Sequence, residues 1–352
     1  MSGVHATAVL RRRARARVVA LVVLVVLLVA GVGANLALGQ YSMSLGEVWS
    51  ALTAGPGVAR TSGSSAAGVL WSVRAPRLVL GVLVGAALAV AGTLLQGLFG
   101  NPLAEPSVIG VTAGAGVGAA AAIVFGLSFA GTATVPLLAF AAGVVTTLLI
   151  YRLARVGGEV RVVTLILTGI AVNAVAGAAI SFLVYLAPTA SREQIIFWQM
   201  GSLNGARWNE VATVAVAVVV GVLGAVALAR TLDVLSLGER AAFHAGVNVG
   251  VARIAVVGVS TLLAAAAVSF AGVIGFVGLI VPHILRQVTG PSNRWLVPLS
   301  ALGGAVLVIL ADLVARILIA YADLPIGIFT ALVGGPTFFV LLRRTLLKGG
   351  QP

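Results

Sequence analysis

Long apolar runs, broken by short polar or basic interruptions, follow one another along almost the whole chain from Val18 to Leu342. A membrane-spanning helix needs about 20 predominantly apolar residues. Cutting the runs at charges, prolines and glycine clusters gives ten segments, approximately 18 to 38, 78 to 98, 108 to 126, 134 to 152, 162 to 185, 209 to 229, 252 to 272, 276 to 288, 295 to 320 and 327 to 342. No polar stretch between them is long enough for a separate soluble domain. The pattern predicts an all-α integral membrane protein, with about ten transmembrane helices in a compact bundle and residues 1–352 forming a single transmembrane domain.

Composition strengthens this reading. Of 352 residues 60% are hydrophobic and 9% charged, whereas soluble domains carry about 25% charged residues. The 44 glycines suit close helix contact, because small residues let backbones approach. The absence of cysteine excludes disulfides, thiolate metal sites and thiol catalysis. Arg11, Arg12, Arg13, Arg15 and Arg17 precede an apolar run longer than the 7–15 residues of a signal-peptide core, so residues 1–17 read as a cytoplasmic basic N-terminus ahead of a first span.

The net charge of +13 would point to nucleic acid in a soluble protein, but here the cations sit between apolar runs. If every segment crosses, the clusters at 11–17, 152–161, 230–253, 286–294 and 343–348 share one side. Arg60, Arg74, Arg77, Arg192, Arg207 and Arg316 occupy the other. The positive-inside rule then places both termini in the cytoplasm. Trp49, Trp71, Trp198 and Trp208 fall in or beside outer loops and Trp295 at the inner face, as interface anchors do. A weak repeat also stands out: Ala86-Ala87, Ala91-Gly92 and Pro102 return as Ala266-Ala267, Ala271-Gly272 and Pro282. In this topology the two copies would be inverted.

Three spaced stretches, in order between about residues 70 and 345, carry a resemblance. The first is Arg74-Ala-Pro-Arg77 running on to Gln96, then Asn101-Pro-Leu-Ala-Glu-Pro106 and Ile109-Gly-Val-Thr-Ala-Gly-Ala-Gly116. The second is Leu235-Ser-Leu-Gly-Glu-Arg-Ala-Ala242 with Ala271-Gly-Val-Ile-Gly-Phe-Val-Gly-Leu-Ile-Val-Pro-His-Ile-Leu-Arg286. The third is Ala311-Asp-Leu-Val-Ala-Arg316 with Leu324-Pro-Ile-Gly327 and Gly334-Gly-Pro-Thr-Phe-Phe339. Together they resemble the permease subunits of iron-siderophore, haem and cobalamin ABC importers.

That resemblance implies a set of partners: a second permease copy or paralogue, two cytoplasmic ABC ATPases that hold ATP and Mg, and an extracytoplasmic substrate-binding protein. It also implies a bacterial cytoplasmic-membrane location, with no cofactor bound by this chain. Ferric siderophore is the leading cargo, with haem and cobalamin behind it.

The same motifs nominate residues. The inner loop 231–251 predicts a short amphipathic helix starting at Ser236 and stopping at Gly246. In the resembled permeases this loop docks on the ATPase, which singles out Leu237, Gly238, Glu239, Arg240 and Ala241. Arginines at the positions of Arg74, Arg77 and Arg316 meet acidic lobes of the binding protein, although headgroup pairing, or pairing of Arg316 with Asp312 four residues before it, are alternatives. Gln96 and Asn173 are polar within spans and so are pathway candidates, with interhelical packing the competing role. Where related permeases often place small hydroxyl residues at the cytoplasmic gate, this chain reads Gly157-Gly-Glu-Val-Arg161, which moves the gate candidates to Glu159 and Val160. His283 reads as local packing, since three histidines in the whole chain make a poor ligand set.

Two other function classes are weighed against this one. An ion-coupled secondary transporter needs ionisable groups at mid-membrane, for which Asp312 is the strong candidate. An intramembrane enzyme needs a constellation such as His-Glu-x-x-His, which is missing. So is a Gly-x-x-x-x-Gly-Lys phosphate loop, so ATP would have to be hydrolysed elsewhere.

Overall fold

Each of the ten apolar segments becomes a helix in the computed structural model, which describes residues 2–61, 65–156, 159–160, 162–319 and 321–349. In chain order the α-helices are α1 (Ser2–Ala37), α2 (Leu45–Thr61), α3 (Ser65–Val69), α4 (Ala75–Phe99), α5 (Val111–Val124), α6 (Thr134–Leu153) and α7 (Val162–Leu186). They continue as α8 (Thr189–Met200), α9 (Trp208–Leu235), α10 (Glu239–His244), α11 (Val249–Ala271), α12 (Val277–Thr289), α13 (Asn293–Ile317) and α14 (Ile326–Gly349). Seven of these are long and apolar enough to cross a membrane; α5 and α12, at 14 and 13 residues, are shorter.

Besides α10, which was expected in the inner loop, three described helices had no counterpart among the apolar segments: α2, α3 and α8. Their sequences are mixed, and for α2 a local cap is on view. Ser44 and Glu47 cap α2 reciprocally: the Ser44 amide donates to Glu47 Oε2 at 2.7 Å and the Glu47 amide to Ser44 Oγ at 3.2 Å. The Ser44 amide, and the Ser44 hydroxyl that also donates to Glu47 Oε2 at 2.8 Å, hold the exposed Glu47 carboxyl below its usual pKa. Gly55, at φ 76°, bends the helix before Pro56.

Helix α4 is the axis of the bundle: 78% of its most apolar stretch is buried, against 17% for α7 and 11% for α1. Glycine makes this possible. A Cβ on Gly85 would fall on the Gly304 carbonyl of α13, and one on Gly92 on the Gly278 carbonyl of α12. The backbones therefore touch where the small residues stand, in place of the interdigitating side chains of a wider crossing.

The repeat is not matched by equal local structure. Gly92 lies inside α4, whereas Gly272 ends α11 at φ 67° and opens a break that runs to Phe276. The short inner segment around the gate candidates is a two-residue hairpin, with Arg155 facing Val160 and Val156 facing Glu159. Gly157, Gly158 and Arg161 lie outside the described residues.

Candidate docking and translocation sites

The C-terminus of α1, the start of α4 and the end of α13 meet at one end of the bundle. Arg77, on the first turn of α4, donates from Nε to both oxygens of Asp312 on α13, at 3.0 and 3.1 Å. Its Nη1 reaches Asp323 at 2.9 Å. Asp312 also faces Arg316 one turn on, at 3.4 Å. Arg316 then donates to Asn35 Oδ1 at 2.6 Å, while Asn35 Nδ2 donates to the Ile309 carbonyl. Arg74 donates to the Leu36 and Ala37 carbonyls that end α1, and to the Tyr41 carbonyl in the loop beyond it.

These contacts bear on the expected docking arginines. Arg74, Arg77 and Arg316 are 3%, 4% and 7% exposed, so all three guanidiniums are turned inward and already paired. Asn35 and Asp323, which complete the network, were not singled out from the sequence; they lie hundreds of positions from their partners. Among the described side chains, the arginines exposed at this end are Arg192 on α8 and Arg207 before α9. Trp208 joins the same end by donating to the Trp71 carbonyl at 2.9 Å.

Nearer the middle, two helix breaks face each other. The turn 100–110 between α4 and α5 brings Glu105 into a cavity of about 60 Å³, beside Leu88, Thr112, Gly275 and Phe276. The Ser107 hydroxyl donates to its carboxylate at 2.7 Å, and the Phe276 amide also bonds it. Phe276 has φ 66°, an uncommon state for a bulky residue, and its ring rests where a Cβ of Gly334 on α14 would stand. Glu105 thus ties the first break to the N-terminus of α12, where a carboxylate is favoured. Nothing in composition or spacing marked it apart from its motif.

Asn173 on α7 donates to the Ser107 carbonyl at 3.0 Å. Gln96 is buried and donates to the Gly278 and Leu279 carbonyls at 3.3 and 3.1 Å. Both side chains therefore cross-link helices in this conformation. His283 lies within α12 and contacts Gln287 at 2.8 Å. A wider cavity of about 380 Å³ opens beside Phe197, Ser202, Gly272 and Asp323, where the end of α8, the α11 break and the start of α14 converge.

At the opposite end, α10 begins at Glu239, three residues later than expected. Ser236 belongs to the end of α9, and Gly238 at φ 105° is the N-cap of α10. The glycine serves backbone geometry here, since nothing lies within 4 Å of its missing Cβ. Leu237 and Phe243 are 74% and 72% exposed, an apolar pair with no cover from this chain. Phe243 was missing from the sequence-derived set, which followed the motif and stopped at Ala241. Arg240 and Ala241 are exposed as well. Glu239 bonds Arg253 of α11 at 2.6 Å, which ties the small helix to the bundle.

A glycine-packed helical bundle with broken helices inside and an exposed helix at one end defines a multi-pass membrane permease. The chain belongs to the FecCD transport family, whose model matches residues 23–344. It is 38% identical over 333 residues to the hemin transport system permease protein of Yersinia pestis, covering 92% of this chain and 94% of that one. Identity with the cobalamin import system permease protein of Halobacterium salinarum is 42% over 275 residues, 78% of this chain and 73% of the relative. With the Fe(3+)-citrate import system permease protein of Bacillus subtilis it is 34% over 340 residues, 95% and 97% of the two chains. The fold matches a putative metal-chelate type ABC transporter in an inward-facing conformation, with TM-score 0.80 and 34% identity over 91% of this chain and 97% of that one. The protein is thus the permease subunit of an ABC importer in the cell membrane, without a catalytic site of its own. That sets aside the ion-coupled and enzymatic readings.

Proposed function

We propose that two such permease chains, identical or paralogous, enclose a path for a bulky metal chelate, with ferric siderophore the first candidate and haem or cobalamin the alternatives. A substrate-binding protein delivers the cargo from outside, and two cytoplasmic ATPases carrying ATP and Mg power its passage. The observation that carries this reading is α7. It is held to the bundle by one stripe, Leu165, Gly169, Ala176 and Leu183, and its exposed remainder sets Ala171, Ala174, Gly177 and Ala178 among large apolar side chains, Leu167, Ile170, Val175 and Phe182. Small residues set within an exposed apolar face let another helix approach closely, and a two-fold axis beside α7 would supply that helix and a pathway. The relatives act on haem, cobalamin and ferric citrate by their names, a range that supports a chelate as cargo. In this reading the residue 155–160 hairpin, with Glu159 and Val160, stands at the inner mouth as a gate, and α10 seats on the ATPase.

Because the chain lacks cysteine, a single Gly177→Cys reports its neighbour cleanly. Oxidation in native membranes should give a cross-linked permease pair when the partner is a second copy or carries the matching cysteine. Persistent monomer with both permeases so labelled overturns the two-fold path. Cargo is tested separately, by which of ferric siderophore, haem and cobalamin the cognate binding protein retains. Tight retention of haem or cobalamin alone would remove siderophore as the cargo.

A further inference from the structure

We propose that the turn joining α12 to α13, with Arg13 and Arg17 of α1 laid against it, holds the phosphodiester headgroup of an anionic phospholipid. Arg13 and Arg17 are four residues apart and share one face of α1. Arg17 Nε donates to the Thr289 carbonyl at 3.2 Å, and its guanidinium lies 5.6 Å from the centre of the Trp295 ring. The Arg13 side chain passes 3.5 Å from where a Cβ of Gly290 would stand. Arg286 adds a third positive charge: its Nη1 donates to the Pro291 carbonyl of the same turn, and its buried Nε and Nη2 have no hydrogen-bond partner.

Among the described residues no carboxylate forms an ion pair with Arg13 or Arg17, and Asp233 lies near enough to act on the charge of Arg286 alone. The acids near this end are already engaged, Asp233 with Ser292 and Asn293 and Glu239 with Arg253. Trp295 marks the depth at which indole rings prefer the headgroup layer, so the two arginines stand level with lipid phosphate. The site is open to lipid, because α1 is peripheral and only 11% of its apolar stretch is buried. Basic clusters between helices at this level attract anionic headgroups.

The chemistry recognised is a phosphate anion, supplied by a lipid or by free phosphate. The test uses the full chain, purified and exposed to vesicles of phosphatidylglycerol or phosphatidylcholine, with retained lipid counted by native mass spectrometry. Phosphatidylglycerol should be retained in preference. Each basic residue near an anionic surface favours binding about fivefold, so Arg13→Gln with Arg17→Gln should lower that preference roughly twentyfold to thirtyfold. Arg11→Gln with Arg12→Gln, the same charge change on other faces of α1, should lower it far less. Millimolar inorganic phosphate should not displace the lipid. An unchanged preference in the first double variant, an equal fall in the second, or displacement by phosphate each overturns the site. If Arg17→Gln does not fold, Arg13→Gln alone carries the test, since that side chain makes no hydrogen bond among the described residues.

Discussion

At the end where α1 finishes, Arg74, Arg77 and Arg316 are almost wholly enclosed, and Asp312 lies between Arg77 and Arg316. At the other end Arg11, Arg12, Arg13 and Arg15 are exposed, and none of them pairs with a carboxylate among the described residues. One residue type therefore does two jobs. Enclosed arginines fasten α1, α4 and α13 together, and exposed arginines are left for whatever lies outside the chain. A motif alone does not distinguish the two, because it gives residue type and spacing but not burial.

Removing Asp312 should have the largest effect. Its loss leaves Arg77 and Arg316 buried without their shared acid, and breaking a buried ion pair on one side costs about 3–5 kcal/mol. Asp312→Ala should therefore fail to accumulate in membranes or melt far below the native chain. Restoring an apolar fit, with Arg77→Met and Asp312→Leu together, should recover much of the stability, since well-packed hydrophobic replacements of buried pairs are often neutral. Native melting of Asp312→Ala would show that the network does not fasten these helices.

The exposed counterpart on α10 should behave in the opposite way, losing function and keeping stability. Leu237 and Phe243 touch solvent in this chain, and surface substitutions of that kind shift stability by only about 0.5 kcal/mol. Leu237→Ser with Phe243→Ser should leave membrane level and melting unchanged while uptake and ATPase stimulation collapse. Gly238→Asp is a poorer probe, because φ 105° penalises any side chain there. Normal uptake in the serine double variant would leave α10 a mere connector.

The sequence revealed the spans because lipid imposes a simple requirement, an uninterrupted apolar run for each crossing. It did not reveal what depends on partners far apart in the chain. Arg77 meets Asp312 across 235 positions and Gln96 meets Leu279 across 183, and nothing local records either meeting. Helices α2, α3 and α8 escaped because mixed polarity in a short element gives no membrane signal. The start of α10 was misplaced at Ser236 because serine is a frequent N-cap, whereas the chain uses it to finish α9 and gives the cap to a glycine of positive φ.

Glu105 tests the middle ground between the two ends, a half-buried acid that joins elements without a cationic partner. Glu105→Gln keeps the shape and an acceptor for Ser107 but removes the charge at the N-terminus of α12. A carboxylate in that position contributes about 0.3–2 kcal/mol, so melting should fall modestly. Transport should fall further if the link between the two breaks is used during the cycle. Glu105→Ala should lower both more than Gln does. Equal melting and uptake in all three proteins would reduce Glu105 to a passive filler of its cavity.

The smallest effect is expected from the exposed arginines at the enclosed-network end. If Arg77 and Arg316 are occupied inside the bundle, contact with an acidic binding protein passes to Arg192 and Arg207, which stand on the surface at the same end. Exposed rim charges chiefly set encounter rate and salt dependence. Arg192→Glu with Arg207→Glu should therefore slow association severalfold at low ionic strength and flatten its dependence on salt, with dissociation little changed. Membrane level should stay native, because Arg192 bonds only nearby carbonyls at the end of α7. The decisive comparison is with Arg77→Glu. If the enclosed arginines dock the partner, Arg77→Glu in a folded chain should weaken association at least as much as the surface pair does. If they fasten helices, Arg77→Glu should instead lower melting and membrane level, and the surviving folded fraction should still bind the partner at the native rate.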